Sequence, residues 1–265
     1  MSTFQIAIHG AAGRMGRRLV ALGSQDQQMT IVAAIDHPKS PMQGQDAGSL
    51  AGVAPLGVNI SSAWPDGIQA LIDFSSPEGC NSAVDACLAK NIPIVVATTG
   101  LSPDLVSKVQ WAGKSIPVCY APNMSLAVNL TMKLVQQAAR ALQGVSSGVD
   151  VEIIERHHRY KEDSPSGTAL KFGQIVADEM GWTHHVYGRH GQVGQRPQNE
   201  IGYHAVRVGD DPGQHTIIFG LLGETIELRV GASNRDCYAS GALQAAKFLV
   251  GKPVGLYSMY DVLGL

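Results

Sequence analysis

The sequence predicts an α/β fold in two parts: a doubly wound parallel sheet, and an inserted α+β unit with a largely antiparallel sheet. Three observations predict it. A strand runs directly into a glycine-rich turn and a helix at residues 4–22. Strands and helices then alternate as far as Tyr120. Beyond residue 142 the pattern changes to strands joined by short, glycine-containing connections.

The chain has 265 residues, enough for one large or two modest domains. With 45% hydrophobic and 16% charged residues it is an ordinary globular composition. A net charge of −2 gives no general attraction to nucleic acid or to an anionic membrane, so any anion site is local. Cys80, Cys87, Cys119 and Cys237 show no metal spacing and read mostly as buried thiols. The first residues show no basic region followed by an apolar core and no run approaches eighteen apolar residues, so a cytoplasmic location is expected.

In chain order, Phe4 to His9 is an apolar strand, followed by Gly10-Ala11-Ala12-Gly13-Arg14-Met15-Gly16. Met15, Leu19 and Leu22 then share one helix face. Strand, glycine turn and helix in that order are what a dinucleotide fingerprint requires, because the helix N-terminus meets the pyrophosphate. Thr30 to Ile35 is a second strand and ends in Asp36, placed to accept from the ribose hydroxyls of an adenosine. His37 follows directly and Lys39 lies close by; either can face a 2′-phosphate or solvent. Residues 38–66 form an irregular connection with one short strand near Val58 to Ile60. Further strands at Ala70 to Phe74, Pro93 to Ala97 and Pro117 to Tyr120 alternate with helices headed by Ser76-Pro77 and Ser102-Pro103.

In an open parallel sheet ligands lie at the C-terminal strand edges. Those edges carry the glycine turn, Asp36, Phe74-Ser75, Thr98-Thr99 and Ala121-Pro122-Asn123-Met124. Ser125 to Leu142 is a long helix at the domain junction, with Ala127, Leu130, Leu134, Ala138 and Leu142 expected to face a core. Residues 168–180 form a helix, 184–199 a polar loop, and Ile201 to Val208, His215 to Phe219 and Thr225 to Val230 strands. Ala239 to Val250 is the last long helix, and the tail from Pro253 is too apolar to be a free end.

The densest chemistry lies between Asp150 and Ala169, where an alternating strand enters a polar loop. Histidine donates a proton near neutrality, lysine attracts a carboxylate, and Ser166-Gly167-Thr168 opens a helix whose N–H groups face an anion. Glu152 and Glu155 read as packing residues. Adjacent His157 and His158 point in opposite directions on an extended chain, so no metal is expected.

These motifs, Gly10 to Gly16, Asp73-Phe74-Ser75, Ala97-Thr98-Thr99-Gly100, Ala121 to Met124, and above all Glu155-x-His157-His158-x-x-Lys161-x-Asp163-x-Pro165-Ser166-Gly167-Thr168-Ala169, resemble those of the dihydrodipicolinate reductase family over essentially the full length. The resemblance implies a Rossmann-like domain at 1–126 and 236–265, an inserted substrate and oligomerisation domain at 127–235, and a homotetramer. It also implies reduction of a small cyclic dicarboxylate by NADH or NADPH, without nucleic-acid or membrane partners. The family's general acid falls on His157, its second proton donor on Lys161, and its substrate-binding positions on His158, Ser166, Gly167 and Thr168. Its cofactor positions fall on Gly10 to Met15, Asp36, Ala97 to Thr99 and Ala121 to Met124. His37 stands where many members carry a basic partner, so NADH is expected to serve at least as well as NADPH.

Overall fold

A computed structural model describes residues 3–265. They form two compact units, one of residues up to Leu126 together with Arg235–Leu265, the other Ala127–Asn234. Arg235 thus groups with the first unit.

The first unit opens with β1 (Phe4–His9), α1 (Arg14–Gly23) and β2 (Met29–Ile35). A single-turn α2 (Ala47–Leu50), capped by Asp46, and a two-residue β3 (Ile60–Ser61) punctuate the irregular connection. Then come β4 (Ala70–Asp73), α3 (Pro77–Lys90), β5 (Ile94–Val96), α4 (Pro103–Ala112) and β6 (Pro117–Tyr120). All strand pairings are parallel, in the order β3-β2-β1-β4-β5-β6. A parallel sheet covered on both faces needs apolar residues on both, and β4 and β5 are buried throughout. Proline at the first turn of α3 and α4, behind Ser76 and Ser102 caps, sets where those helices begin.

The second unit contains most of α5 (Leu126–Leu142), then β7 (Asp150–His157), α6 (Gly167–Met180), β8 (His184–Tyr187), β9 (Glu200–Arg207), β10 (Gln214–Leu221) and β11 (Glu224–Gly231). Its sheet runs β11-β10-β7-β9-β8. The β11–β10 and β10–β7 pairs are antiparallel and longer than the parallel β7–β9 and β9–β8 pairs taken together. The parallel flank includes β8, which lies inside the segment 184–199 expected to be a loop. His184 to Tyr187 is too short and polar to announce a strand, and its pairing with β9 supplies the order.

The stripe expected to bury α5 is corrected. Val128, Thr131, Met132, Val135 and Ala139 face the interior, whereas Leu130 and Leu134 are 41% and 46% exposed. Both sets fit helical spacing. The buried set is turned by about one residue position from the expected one and includes the polar Asn129, so apolarity alone could not select it.

The chain returns to the first unit through α7 (Asp236–Leu249), whose buried residues share a core with Leu19 and Val20 of α1. A short β12 (Gly255–Tyr257) then adds a seventh parallel strand beside β6, and α8 (Met259–Leu263) follows with a Ser258–Asp261 capping box. The opposite face is filled by residues of α3 and α4, among them Val84 and Val109. No helix among the described residues is long and apolar enough to cross a membrane.

One glycine ties α7 to the ligand-facing edge. A Cβ at Gly241 would stand 1.7 Å from the Met124 carbonyl oxygen. Alanine usually gains about 1 kcal/mol over glycine inside a helix. Overpacking costs roughly 1–3 kcal/mol or more, so the clash should win. Gly241→Ala is expected to lower the urea midpoint of the purified protein; an unchanged or higher midpoint would show that α7 can shift freely.

Candidate functional site

In the first unit, the C-terminal ends of the parallel strands converge on a cleft of about 800 Å³ lined by Gly10, Ala12, Gly13, Asp36, His37 and Phe74, among others. Gly10 has φ +76°, and a Cβ on it would lie 2.3 Å from the Phe74 carbonyl oxygen. A Cβ on Gly16 would lie 2.1 Å from the Gly10 carbonyl. These two contacts explain why the turn tolerates no side chain there. The helix behind it starts at Gly13 with no side-chain cap, whereas α2, α3, α4 and α6 are capped by Asp46, Ser76, Ser102 and Ser166. The exposed start of α1 therefore offers backbone donors to a pyrophosphate, and the cradle fits a dinucleotide.

Asp36 is already ordered by this turn. Its Oδ2 accepts from the Ala12 N–H at 2.8 Å and its Oδ1 from the His37 N–H at 2.8 Å. A carboxylate has about four acceptor positions, so ribose hydroxyls can still be received. His37 is exposed, and its Nδ1 accepts from the Lys39 N–H at 3.1 Å. Ala97, Thr98 and Thr99 follow β5, and Ala121 to Met124 follow β6.

Beneath this edge lies a buried polar node. Asp73, 0% exposed, accepts from His9 Nδ1–H at 2.7 Å, Ser75 Oγ–H at 2.6 Å and Thr98 Oγ–H at 2.6 Å. The Ser75 N–H in turn donates to Thr98 Oγ at 2.9 Å. The node joins the ends of β1, β4 and β5, so Thr98 is an internal brace as well as a cofactor candidate.

In the second unit, strand alternation puts Val151, Ile153, Glu155 and His157 on one buried face of β7. Register sets His215 of β10 opposite Glu155, and Arg207 of β9 opposite His157. Arg207 donates to both Glu155 oxygens, at 2.8 and 2.7 Å. His157 Nδ1 meets Glu155 Oε2 at 2.5 Å, and the Ser166 N–H donates to Oε1 at 3.1 Å. Burial alone would push the Glu155 carboxyl up, but the Arg207 and His157 bonds outweigh it and hold it below its ordinary value. His157 is pushed down, by burial first, with Lys161 and Arg207 adding to this and Glu155 opposing it.

Lys161 Nζ donates to both Asp163 oxygens, at 2.7 and 2.9 Å. Ser166 caps α6 by accepting from the Ala169 N–H at 3.2 Å, and its hydroxyl pairs with His215 Nε2 at 3.0 Å. With its N–H on Glu155 as well, Ser166 is 2% exposed and its polar atoms are engaged internally. Gly167 and Thr168 open the helix itself. His158 Nδ1 is buried without a hydrogen-bond partner, a state suited to a group that receives a ligand.

Sequence reasoning missed Glu155 as part of this cluster, together with Arg207, His215 and, in the first unit, His9. The alternation along β7 could have flagged Glu155, since it continues the apolar face. Arg207 and His215 join only through strand register 50 or more residues downstream.

A glycine-turn nucleotide unit and a unit bearing a histidine–lysine loop define a dinucleotide-dependent oxidoreductase. Residues 4–124 match the family model described as dihydrodipicolinate reductase, N-terminus, and residues 127–263 the model described as its C-terminus. A 4-hydroxy-tetrahydrodipicolinate reductase of Rhodopirellula baltica is 59% identical, over 98% of this chain and 96% of its own. One from Syntrophotalea carbinolica is 45% identical, over 98% and 99%. The dipicolinate-bound dihydrodipicolinate reductase from Paenisporosarcina sp. TG-14 has the same fold, with a TM-score of 0.79 at 24% identity over 98% of this chain and 99% of that one. The chain belongs to the dihydrodipicolinate reductase family.

The buried cluster carries a stability signature. Burial pushes His215 down to about 4, with the charge of His157 adding to the shift. The unfolded chain therefore binds a proton that the folded one refuses, and stability falls as pH drops from about 6.5 towards 4. The full effect is of order 3 kcal/mol. His215→Gln, which keeps a partner for Ser166, should flatten the acid limb of unfolding free energy against pH; an unaltered slope in that window would assign it to other groups.

Proposed function

We propose that the chain reduces 4-hydroxy-tetrahydrodipicolinate, with loss of water, to 2,3,4,5-tetrahydrodipicolinate in diaminopimelate and lysine biosynthesis, using NADH or NADPH. The observation that carries this reading is a single contiguous loop containing a buried histidine, a lysine held by an exchangeable carboxylate, and a helix N-terminus. Those are a proton donor and two anion receivers, which a cyclic dicarboxylate needs.

A nicotinamide cofactor, when bound, supplies the hydride. The glycine turn and the start of α1 receive its pyrophosphate, and Asp36 its adenosine ribose. Ala97 to Thr99 and Ala121 to Met124 border its nicotinamide end. In the second unit, Lys161 exchanges Asp163 for one substrate carboxylate. Gly167 and Thr168 receive the other through the start of α6, and His158, whose Nδ1 is buried without a partner, is a further substrate contact. His157 gives a proton to the ring as it gains hydride, and regains one from solvent.

NADH serves at least as well as NADPH, because the Asp36 carboxylate disfavours a 2′-phosphate and no arginine follows it. The working form is a homotetramer. Ile154 and Val206, 38% and 43% exposed on the outer face of the second sheet, suit burial against another copy. The enzyme works in the cytoplasm, consistent with four free cysteines.

The test generates substrate in situ with the preceding synthase and follows oxidation of NADH and NADPH separately. Turnover with both is expected, and none with either would sink the reading. His157→Gln should lower kcat by about 10²-fold, the scale for losing a general acid. Asp36→Ala should raise KM for NADH far more than for NADPH, and equal losses would remove Asp36 from the ribose site. Light scattering at micromolar protein should return the mass of four chains; a monomer would refute the assembly.

A further inference from the structure

We infer that Glu155, held by Arg207, is the positioning residue that fixes the proton of His157 on Nδ1 and aims Nε2 as the proton-donating atom. The inference rests on the reductase reading for its kinetics but not for its geometry. A carboxylate only accepts hydrogen bonds, so the 2.5 Å contact with Glu155 requires a proton on His157 Nδ1 in both charge states of the ring. Free imidazole favours no such arrangement. With Nδ1 committed, Nε2 is the only nitrogen left to exchange a proton.

The surroundings of Nε2 agree. Gly213, with φ +136°, passes the ring there, and a Cβ on it would stand 2.7 Å from Nε2. Glycine at this point keeps the space before the nitrogen open. The loop carrying it is braced by Asp211, which accepts from the Gly213 N–H at 2.9 Å and from Arg156 Nε–H at 2.6 Å. The ring cannot easily flip, since Glu155 is 1% exposed and held by two Arg207 nitrogens.

The same carboxylate sets when the ring is charged. The groups facing His157 are Glu155 on β7, Arg207 on β9, His215 on β10, Lys161 in the polar loop and Asp211 in the loop before β10. Lys161 and Arg207 oppose an imidazolium, and neutral His215, whose ring centroid is 5.2 Å away, does not support one. Glu155 is the near negative charge that makes the acid form available. In the step itself the His157 Nε2–H bond breaks and the proton joins the substrate ring. The ring has then gained one hydride and one proton, and His157 is left neutral with its proton on Nδ1.

Glu155 also connects this acid to the anion-receiving helix, because its second oxygen accepts from the Ser166 N–H at the cap of α6. Proton donor and carboxylate receiver thus share one anchor.

Two measurements test the inference. In unmodified protein, long-range ¹H–¹⁵N spectra of the histidine rings, with the His157 signals assigned by their loss in His157→Gln, should show neutral His157 protonated on Nδ1. A neutral ring protonated on Nε2 would overturn the inference whatever the activity. In Glu155→Gln, the pH at which kcat falls on the alkaline side should move down by at least one unit. That means an approximately tenfold or greater loss at pH 8 that shrinks as pH is lowered. An equal loss at every pH would mean a merely structural role and would also overturn it. If Glu155→Gln does not fold, the ring spectra decide alone. If substrate is not turned over at all, the reductase reading fails while the ring assignment still stands or falls on the spectra.

Discussion

The second unit is organised by one buried carboxylate. Glu155 sits at 1% exposure with a guanidinium, an imidazole and a backbone N–H around it. Desolvating a carboxylate costs several kcal/mol, and only a full set of donors offsets that. Each donor is attached to something the site needs. Arg207 also donates to the Asp163 carbonyl at 2.7 Å, fastening the polar loop to β9. His157 is the proposed acid, and Ser166 caps the helix. The cost of burial is met by the same bonds that arrange the chemistry, so order and function cannot be separated here.

The first unit repeats this solution. Asp73 is wholly buried at the end of β4 and receives donors from the ends of β1 and β5 and from its own turn. A parallel sheet leaves its C-terminal ends as separate loops, each free to move by itself. A buried acceptor with donors from three of them makes one surface out of the loops. The glycine turn then packs on that surface, Gly10 lying against the Phe74 carbonyl.

Much of this was legible in the sequence, for identifiable reasons. The parallel sheet showed because strands buried on both faces are continuous apolar runs, and because Asp36 closes the second strand at the spacing a ribose partner requires. The polar loop showed because its residues are contiguous. What stayed hidden is non-local or degenerate. His184 to Tyr187 become a strand only because β9 is beside them. Leu130 and Leu134 share helical spacing with the set that is buried, and spacing alone cannot rank two such stripes. Glu155 looked like a packing residue because its partners, Arg207 and His215, lie on strands that register alone brings together. The polar half of a core is harder to read than the apolar half, since a buried charge is defined by what it meets.

The Lys161–Asp163 pair of the polar loop and the Glu155–Arg207 pair beneath it differ as their proposed tasks require. Asp163, paired with Lys161, is 60% exposed at its side chain, whereas Glu155, paired with Arg207, is 1% exposed. An exposed pair contributes about 0–1 kcal/mol, so a substrate carboxylate can displace Asp163 at little cost. Breaking a buried pair costs roughly 3–5 kcal/mol, too much to recur in each turnover. Asp163 therefore suits a placeholder that keeps Lys161 extended until a dicarboxylate arrives, and Glu155 suits a fixed reference for the proton. Exchanging those environments would leave a lysine too tightly held to take substrate and a histidine free to rotate its donor away. On the proposed reading, the depth of each carboxylate separates a pair that opens in every cycle from one that never does.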